Sequence, residues 1–92
     1  MNNKVYVVFT DYAYDLNQDN YYINGVFTDY KTAKMVFDKA VEENESIDKD
    51  NGYDMFEKEK ETYNAWKDGE YNQYHTTITL GEYKLDKIYK EK

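Results

Sequence analysis

The chain has 92 residues, 12 of them tyrosine, a formal net charge of −7, and no cysteine, proline or arginine. This length predicts a single domain over residues 1–92 with a modest hydrophobic core. The composition excludes a disulfide framework and a thiol nucleophile, and one histidine without cysteine cannot supply the usual zinc ligands. Because the sequence has no long apolar run and no secretory leader pattern, we expect a soluble, cytoplasmic protein.

Two strands joined as a hairpin are predicted at the start of the chain. Residues 4–10 (KVYVVFT) are β-branched and aromatic, with enough apolar character on both alternating faces for a central strand. Residues 11–19 contain turn formers, and we expect a loop there. Residues 20–27 (NYYINGVF) predict the second strand, in which Gly25 indicates a bulge or the close approach of another element.

A helix is predicted to follow this hairpin, from about residue 29 to about residue 46. Thr28 or Asp29 is its candidate N-cap. Apolar residues then recur at helical spacing and form one face, namely Ala33, Val36, Phe37, Ala40 and Val41. The turn dipeptide Asn51-Gly52 predicts a break after this helix.

A second helix is predicted over residues 53–68, with Phe56, Tyr63 and Trp66 near one side. Residues 73–80 (QYHTTITL) alternate as a half-buried strand, and the segment after Gly81 continues as a bent extension or a separate strand. The predicted fold is therefore α+β, in the order β-β-α-α-β with a possible further strand. We expect an antiparallel sheet of three to four strands with two helices packed on one face and Tyr and Thr on the other.

The residues available for catalysis are few. Ser46 is the only serine and lies in an acidic segment, and His75 lies in a predicted strand among threonines, where we expect it to be half exposed. Nucleophilic catalysis needs a nucleophile, a base and an orienting group within hydrogen-bond reach. Acid–base catalysis needs a desolvated carboxyl group, whereas the acids here lie in hydrophilic runs. We therefore predict that the protein is not an enzyme and uses no cofactor.

Residues 48–59 (DKDNGYDMFEKE) resemble the calcium-binding loop of EF-hand proteins. Asp48 would stand at position 1, Asp50 at position 3 and Glu59 at position 12. The family's turn glycine belongs at position 6, but Gly52 stands at position 5, where a ligand is needed. This departure leaves calcium binding by the segment an open alternative, and a solvated acidic surface is the preferred interpretation.

Most of the negative charge lies in residues 42–61, which contain nine acids and three lysines. Such a segment repels phosphate and favours a basic partner surface, so we expect no direct nucleic acid binding. The isolated glycines form no phosphate-binding loop. The residues that we predict to bind the partner are Glu42, Glu43, Glu45, Asp48, Asp50, Tyr53, Asp54, Glu57 and Glu61.

The segments KVYVVFTDY and GVFTDYKTAKMVF resemble small uncharacterised acidic proteins encoded by phages and mobile elements of low-GC Gram-positive bacteria. The resemblance covers about the first 40 residues, with a weaker match in EYKLDKI, and it implies no site residues. In size, acidity and lack of catalytic residues, the chain is also similar to anti-CRISPR inhibitors, which implies action in the host cell cytoplasm.

Three functions remain open from the sequence. The preferred one is a phage-encoded inhibitor that binds a basic, nucleic-acid-handling host defence protein, such as a CRISPR effector, through an acidic surface that mimics nucleic acid. The alternative is a non-catalytic interaction or regulatory module that forms a homodimer through a Tyr-rich sheet face. The third is a sensor of calcium or another small ligand.

Overall fold

The computed structural model describes residues 3–15, 18–70 and 74–85. These residues form five strands and one helix, in the order β1 (Lys4–Asp15), β2 (Gln18–Phe27), α1 (Tyr30–Asp50), β3 (Met55–Lys58), β4 (Thr62–Trp66) and β5 (His75–Lys84). All strands belong to one antiparallel sheet with the strand order β2-β1-β5-β4-β3. α1 packs on one face of the sheet, and the described residues place no helix on the other face, which we call the open face.

The strand β1 is longer than its sequence predicts. It continues through Asp15, and the predicted loop over residues 11–19 is wrong for residues 11–15, 18 and 19, which are in strands. The reason is that β1 pairs on both sides, so that Asp11 lies opposite Thr77 and also opposite Tyr21. Pairing with two neighbours outweighs the local turn preference of this segment.

The strand β2 contains the irregularity that Gly25 predicts. The pairing register between β1 and β2 shifts after Val8, so that Val8 lies opposite Gly25 while Phe9 lies opposite Ile23. Asn24 is therefore the extra residue of a bulge. The ring of Phe27 lies directly over Gly25, where a β-carbon would come within 2.4 Å of a ring atom. A larger residue at position 25 would displace this ring.

The helix α1 begins at the predicted cap. The Asp29 carboxylate accepts hydrogen bonds from the backbone N–H of Thr32 at 2.9 Å and from its hydroxyl at 2.8 Å. These bonds satisfy an N–H group that the first helical turn cannot pair. The helix continues to Asp50, four residues beyond the predicted end, and stops where Gly52 adopts a φ of +86°. Glycine adopts this left-handed conformation without a steric penalty.

The hydrophobic core lies between α1 and the sheet. On the helix, Ala33, Phe37 and Ala40 are buried and Val36 and Val41 are partly buried, which confirms the predicted apolar face. The sheet contributes buried side chains at alternating positions of its three central strands, namely Val8, Tyr63, Ala65, Ile78 and Leu80. The core is thus small and contains a tyrosine at its centre.

The predicted second helix over residues 53–68 is wrong. This segment forms the hairpin of β3 and β4, closed by a hydrogen bond of 2.8 Å from the Glu59 N–H to the Thr62 carbonyl. Tyr63 and Ala65 alternate with half-buried neighbours and point into the core, because β4 pairs with β5. The predicted fold class is corrected accordingly, from a sheet of three to four strands with two helices to a five-stranded sheet with one helix.

The last strand, β5, also exceeds its predicted length. It runs without a break through Gly81 to Lys84, so the residues after Gly81 extend the same strand. β5 lies at the centre of the sheet between β1 and β4. The remainder of the predicted extension, from residue 86 onward, lies outside the described residues.

The central position of β5 predicts that its buried side chains dominate stability. Ile78 is fully buried, whereas Ile47 on α1 is 47% exposed. Ile78→Ala should lower the free energy of unfolding by about 2–5 kcal/mol, because it removes buried methyl groups and leaves a cavity. The matched variant Ile47→Ala should change it by less than about 0.5 kcal/mol. Urea denaturation followed by circular dichroism measures both, and equal losses would contradict the described core.

Candidate functional site

A groove lies between α1 and the β3–β4 hairpin. The backbone of α1 approaches β1, β2, β4 and β5 but not β3, so the edge of the sheet projects beyond the helix. The resulting groove has a volume of about 360 Å³. We call it the acidic groove, and its lining residues are Phe37, Asp38, Val41, Glu42, Glu45, Lys58, Glu59, Thr62 and Tyr63.

Helical spacing explains how α1 contributes to the acidic groove. Residues 41 and 42 each lie three or four positions from residues 38 and 45, and positions at this spacing share one side of a helix. Phe37 belongs to the core and Val41 packs against it, whereas Asp38 and Glu42 are exposed. The groove therefore has an apolar floor and carboxylates along its helical wall.

Lysines pair with two of the four carboxylates in the acidic groove. Lys34 Nζ lies 2.7 Å from Asp38 Oδ1, and Lys58 Nζ lies 3.0 Å from Glu45 Oε1. Glu45 Oε2 also lies 3.4 Å from Lys49 Nζ. The hydrogen bond from Lys58 is the main cause of a lowered pKa of Glu45, so this carboxylate remains ionised.

The other two carboxylates of the acidic groove are exposed and pair with no lysine that the structure describes. Glu42 makes no ion pair with any lysine of the described ranges, and Glu59 accepts a hydrogen bond of 3.2 Å from the Thr62 hydroxyl. Four carboxylates and one lysine therefore line a groove with an apolar floor. Such a lining attracts a cation that also carries apolar surface.

The structure brings only two of the predicted partner-binding residues, Glu42 and Glu45, into this groove. Glu43 and Asp50 are exposed elsewhere on α1, and Asp54 accepts a hydrogen bond of 3.0 Å from the Asp68 N–H. Glu57 lies on the open face, because it is opposite Asn64 and Asn64 is opposite Thr77. Glu61 is partly buried and accepts a hydrogen bond of 2.9 Å from the Tyr30 hydroxyl.

Two predicted partner-binding residues are buried and cannot contact a partner from these positions. Tyr53 is in the core, where its hydroxyl lies 3.4 Å from the Ala13 carbonyl. Asp48 has an exposed fraction of 0%. The expectation that the acids of this hydrophilic run face solvent is therefore wrong for Asp48.

Asp48 joins three elements of the fold. Its Oδ2 accepts a hydrogen bond of 2.6 Å from the Tyr63 hydroxyl on β4, and its Oδ1 accepts one of 2.9 Å from the Thr76 hydroxyl on β5. Burial raises the pKa of Asp48, and the two hydrogen bonds oppose that rise. Burial and the bond to Asp48 likewise raise the pKa of Tyr63, so its hydroxyl stays protonated and donates.

The sequence did contain information on Asp48, Asp38 and Glu59. Asp48 stands eight residues after Ala40 and fifteen after Ala33, in phase with the buried face of α1. Asp38 stands four residues before Glu42, outside the acidic window of residues 42–61, and Glu59 lies in the segment mistaken for a helix. Extending the helical period beyond residue 46 would have identified Asp48 as buried.

The segment that resembles a calcium-binding loop has a different conformation. Residues 48–50 end α1, a turn follows, and residues 55–58 form β3. Asp48, which would be the first ligand, instead accepts hydrogen bonds in the core. Within residues 3–15, 18–70 and 74–85, no group of three or more His, Asp or Glu side chains could hold a metal ion.

The serine and the histidine lie in separate layers of the molecule. Ser46 is exposed on α1, whereas His75 is on the open side of the sheet opposite Ala13. His75 is buried, with 7% exposure, which corrects its predicted half-exposed position. Its Nε2 lies 3.8 Å from Asp11 Oδ2. The Ser46 hydroxyl therefore does not reach the His75 imidazole.

No protein family model, no curated protein and no solved structure matches this chain. The class is therefore defined by fold and site alone, as a five-stranded antiparallel sheet with one helix and an acidic groove at the sheet edge. Of the described residues, no helix has the length and apolar character needed to cross a membrane.

The burial of Asp48 predicts a specific pH dependence of stability. Its folded-state pKa is raised above the unfolded value of about 3.9, so the protonated form contributes stability that is fully present below about pH 4. This contribution is lost as the pH rises through the folded-state pKa. Asp48→Asn removes the titration, so the stability of this variant relative to wild type should rise with pH across that interval.

Urea denaturation at a series of pH values from about 4 to about 8 measures this difference. Asp50→Asn is the matched control, because Asp50 is exposed on the same helix. Its stability relative to wild type should not show that rise. A constant difference between Asp48→Asn and wild type over the whole series would contradict a raised pKa.

Proposed function

We propose that the protein is a non-catalytic binding protein whose acidic groove receives basic side chains of a partner protein. The observation that supports this function is the combination of apolar lining residues, of which Val41 is partly exposed and Phe37 and Tyr63 are buried, with carboxylates from both α1 and the β3–β4 hairpin. A lysine or arginine side chain has the matching chemistry. Its aliphatic part packs on apolar surface while its charged end pairs with a carboxylate.

The protein's own lysines provide an example of this mode of binding. Lys34 pairs with Asp38 and also lies over the ring of Phe37, at 5.0 Å from the ring centre. Lys58 reaches across from β3 to Glu45. A basic side chain of a partner would make the same type of contact with Glu42 and Glu59, which have no lysine partner among the described residues.

The target that we propose is a basic, nucleic-acid-handling protein, and the biological role is inhibition of a host defence enzyme such as a CRISPR effector. Proteins that hold DNA or RNA present lysine and arginine to phosphate groups. A chain of net charge −7 can compete for such a surface through carboxylates. The resemblance to small phage proteins supports the choice of this target class, and the acidic groove supports the mode of binding.

Replacement of Glu42 tests the acidic groove directly. Glu42→Gln should weaken binding of an arginine-rich peptide by about two- to fivefold, since it removes one exposed carboxylate from the groove. Glu43→Gln is the matched control, because it removes the same charge one residue away and outside the groove. Fluorescence anisotropy of the labelled peptide measures both. Equal weakening by the two variants would indicate that net charge acts without the groove.

Salt dependence and competition test the mimicry of nucleic acid. The affinity for the peptide, and for any CRISPR effector that binds, should fall steeply between about 50 and about 200 mM salt. DNA or RNA bound to the effector should be displaced by the protein and less well by Glu42→Gln. An affinity that is unchanged across this salt range would rule out binding by exposed carboxylates.

A further inference from the structure

The two edge strands of the sheet differ in how they are protected from pairing with another strand. β3 has only four residues and includes Glu57 and Lys58, and both shortness and charge discourage edge-to-edge pairing. β2, at the opposite edge, has ten residues. From residue 20 to residue 27 it contains no charged residue and no proline.

β2 exposes apolar side chains on both faces of the sheet. Tyr21 and Ile23 lie on the open face, with exposed fractions of 73% and 58%, and they line a shallow groove with Val7, Phe9 and Tyr83. Tyr22 lies on the helix side, because it is opposite the buried Thr10, and it is 46% exposed. An edge segment without charge, such as residues 20–27, is a template for another strand.

We propose that β2 pairs with β2 of a second copy of this chain, antiparallel, around a two-fold axis at Tyr22. The proposal is independent of the acidic groove, which lies at the other edge of the sheet. In this register Tyr22 meets Tyr22 of the second copy, Tyr21 meets Ile23, and Asn20 meets Asn24. Aromatic pairs and aromatic–β-branched pairs stabilise neighbouring strands, so the sequence of β2 is complementary to itself.

The charge of the chain restricts where a second copy can bind. Two molecules of charge −7 repel each other, and they can associate only where carboxylates are few. Residues 20–24 of β2 have no charge, and the proposed register places no like charges opposite each other. The carboxylates of the acidic groove lie at the far edge of each sheet, so that the dimer keeps them apart and leaves both grooves accessible.

The interface is small, and the dimer should therefore dissociate on dilution. Five facing residues from each copy form backbone hydrogen bonds and side-chain pairs, which places the buried area at the low end of specific interfaces. A dissociation constant on the order of micromolar is expected. The association must accordingly be measured over a wide range of protein concentration.

Sedimentation velocity over about 1–300 µM protein provides the first test, and it should detect a reversible dimer. Tyr22→Lys should abolish the dimer, because it places two lysines opposite each other on the axis. Two matched controls should dimerise like wild type: Met55→Lys on the other edge strand and Thr79→Lys on the open face. Circular dichroism checks that each variant is folded, and Tyr21→Lys, at a position of β2 that is 73% exposed, replaces Tyr22→Lys if the latter fails to fold.

A mixing experiment tests the proposed axis. Tyr22→Lys and Tyr22→Glu should each be monomeric, and an equimolar mixture should form a heterodimer, since Lys and Glu then face each other. The wild-type amides of residues 20–24 that point away from β1 should also gain protection from hydrogen exchange as concentration rises. A monomer at every concentration overturns the proposal. A dimer that persists in the Tyr22→Lys variant also overturns it. A dimer that is lost in the Thr79→Lys variant would be formed by stacking of the open faces, and this result too overturns pairing through β2.

Discussion

The arrangement of the molecule depends on the buried carboxylate of Asp48. A carboxylate removed from water is strongly destabilising unless hydrogen-bond donors replace the water that it loses. The Tyr63 and Thr76 hydroxyls supply these donors from two adjacent strands. α1 can therefore pack on the sheet only in the position and rotation that bring Asp48 to both hydroxyls. A hydrophobic contact alone would tolerate other positions, because it is not directional.

This constraint also determines where the acidic groove lies. Asp48 is fixed against β4 and β5. The helix positions three, seven and ten residues before it therefore face the β3–β4 hairpin, and these positions are Glu45, Val41 and Asp38. The hairpin extends past the helix and completes the groove with Lys58 and Glu59. The buried polar contact in the core and the exposed acidic groove are thus consequences of the same helix rotation.

Local patterns predicted some of the fold. The N-cap at Asp29, the apolar face of α1 and the bulge near Gly25 depend on nearby residues and are present. The β3–β4 hairpin was not predictable in this way, because its Glu- and Lys-rich sequence favours a helix locally. β3 becomes a strand by pairing with β4, which in turn pairs with β5. A similar reason applies to the site. Charge composition located the acidic segment, but only the tertiary structure distinguishes Glu42 in the groove from Asp48 in the core.

The pairing of β1 with β5 has a consequence for how the chain acquires its structure. Lys4 lies opposite Lys84, so these two neighbouring strands come from segments separated by β2, α1, β3 and β4. During translation β1 and β2 can form a hairpin early, but β4 has no neighbour on its inner side until β5 leaves the ribosome. Until then Tyr63, Ala65 and the helix face opposite them remain exposed to water. The nascent chain therefore completes its core only after synthesis of the strand that occupies the middle of the sheet.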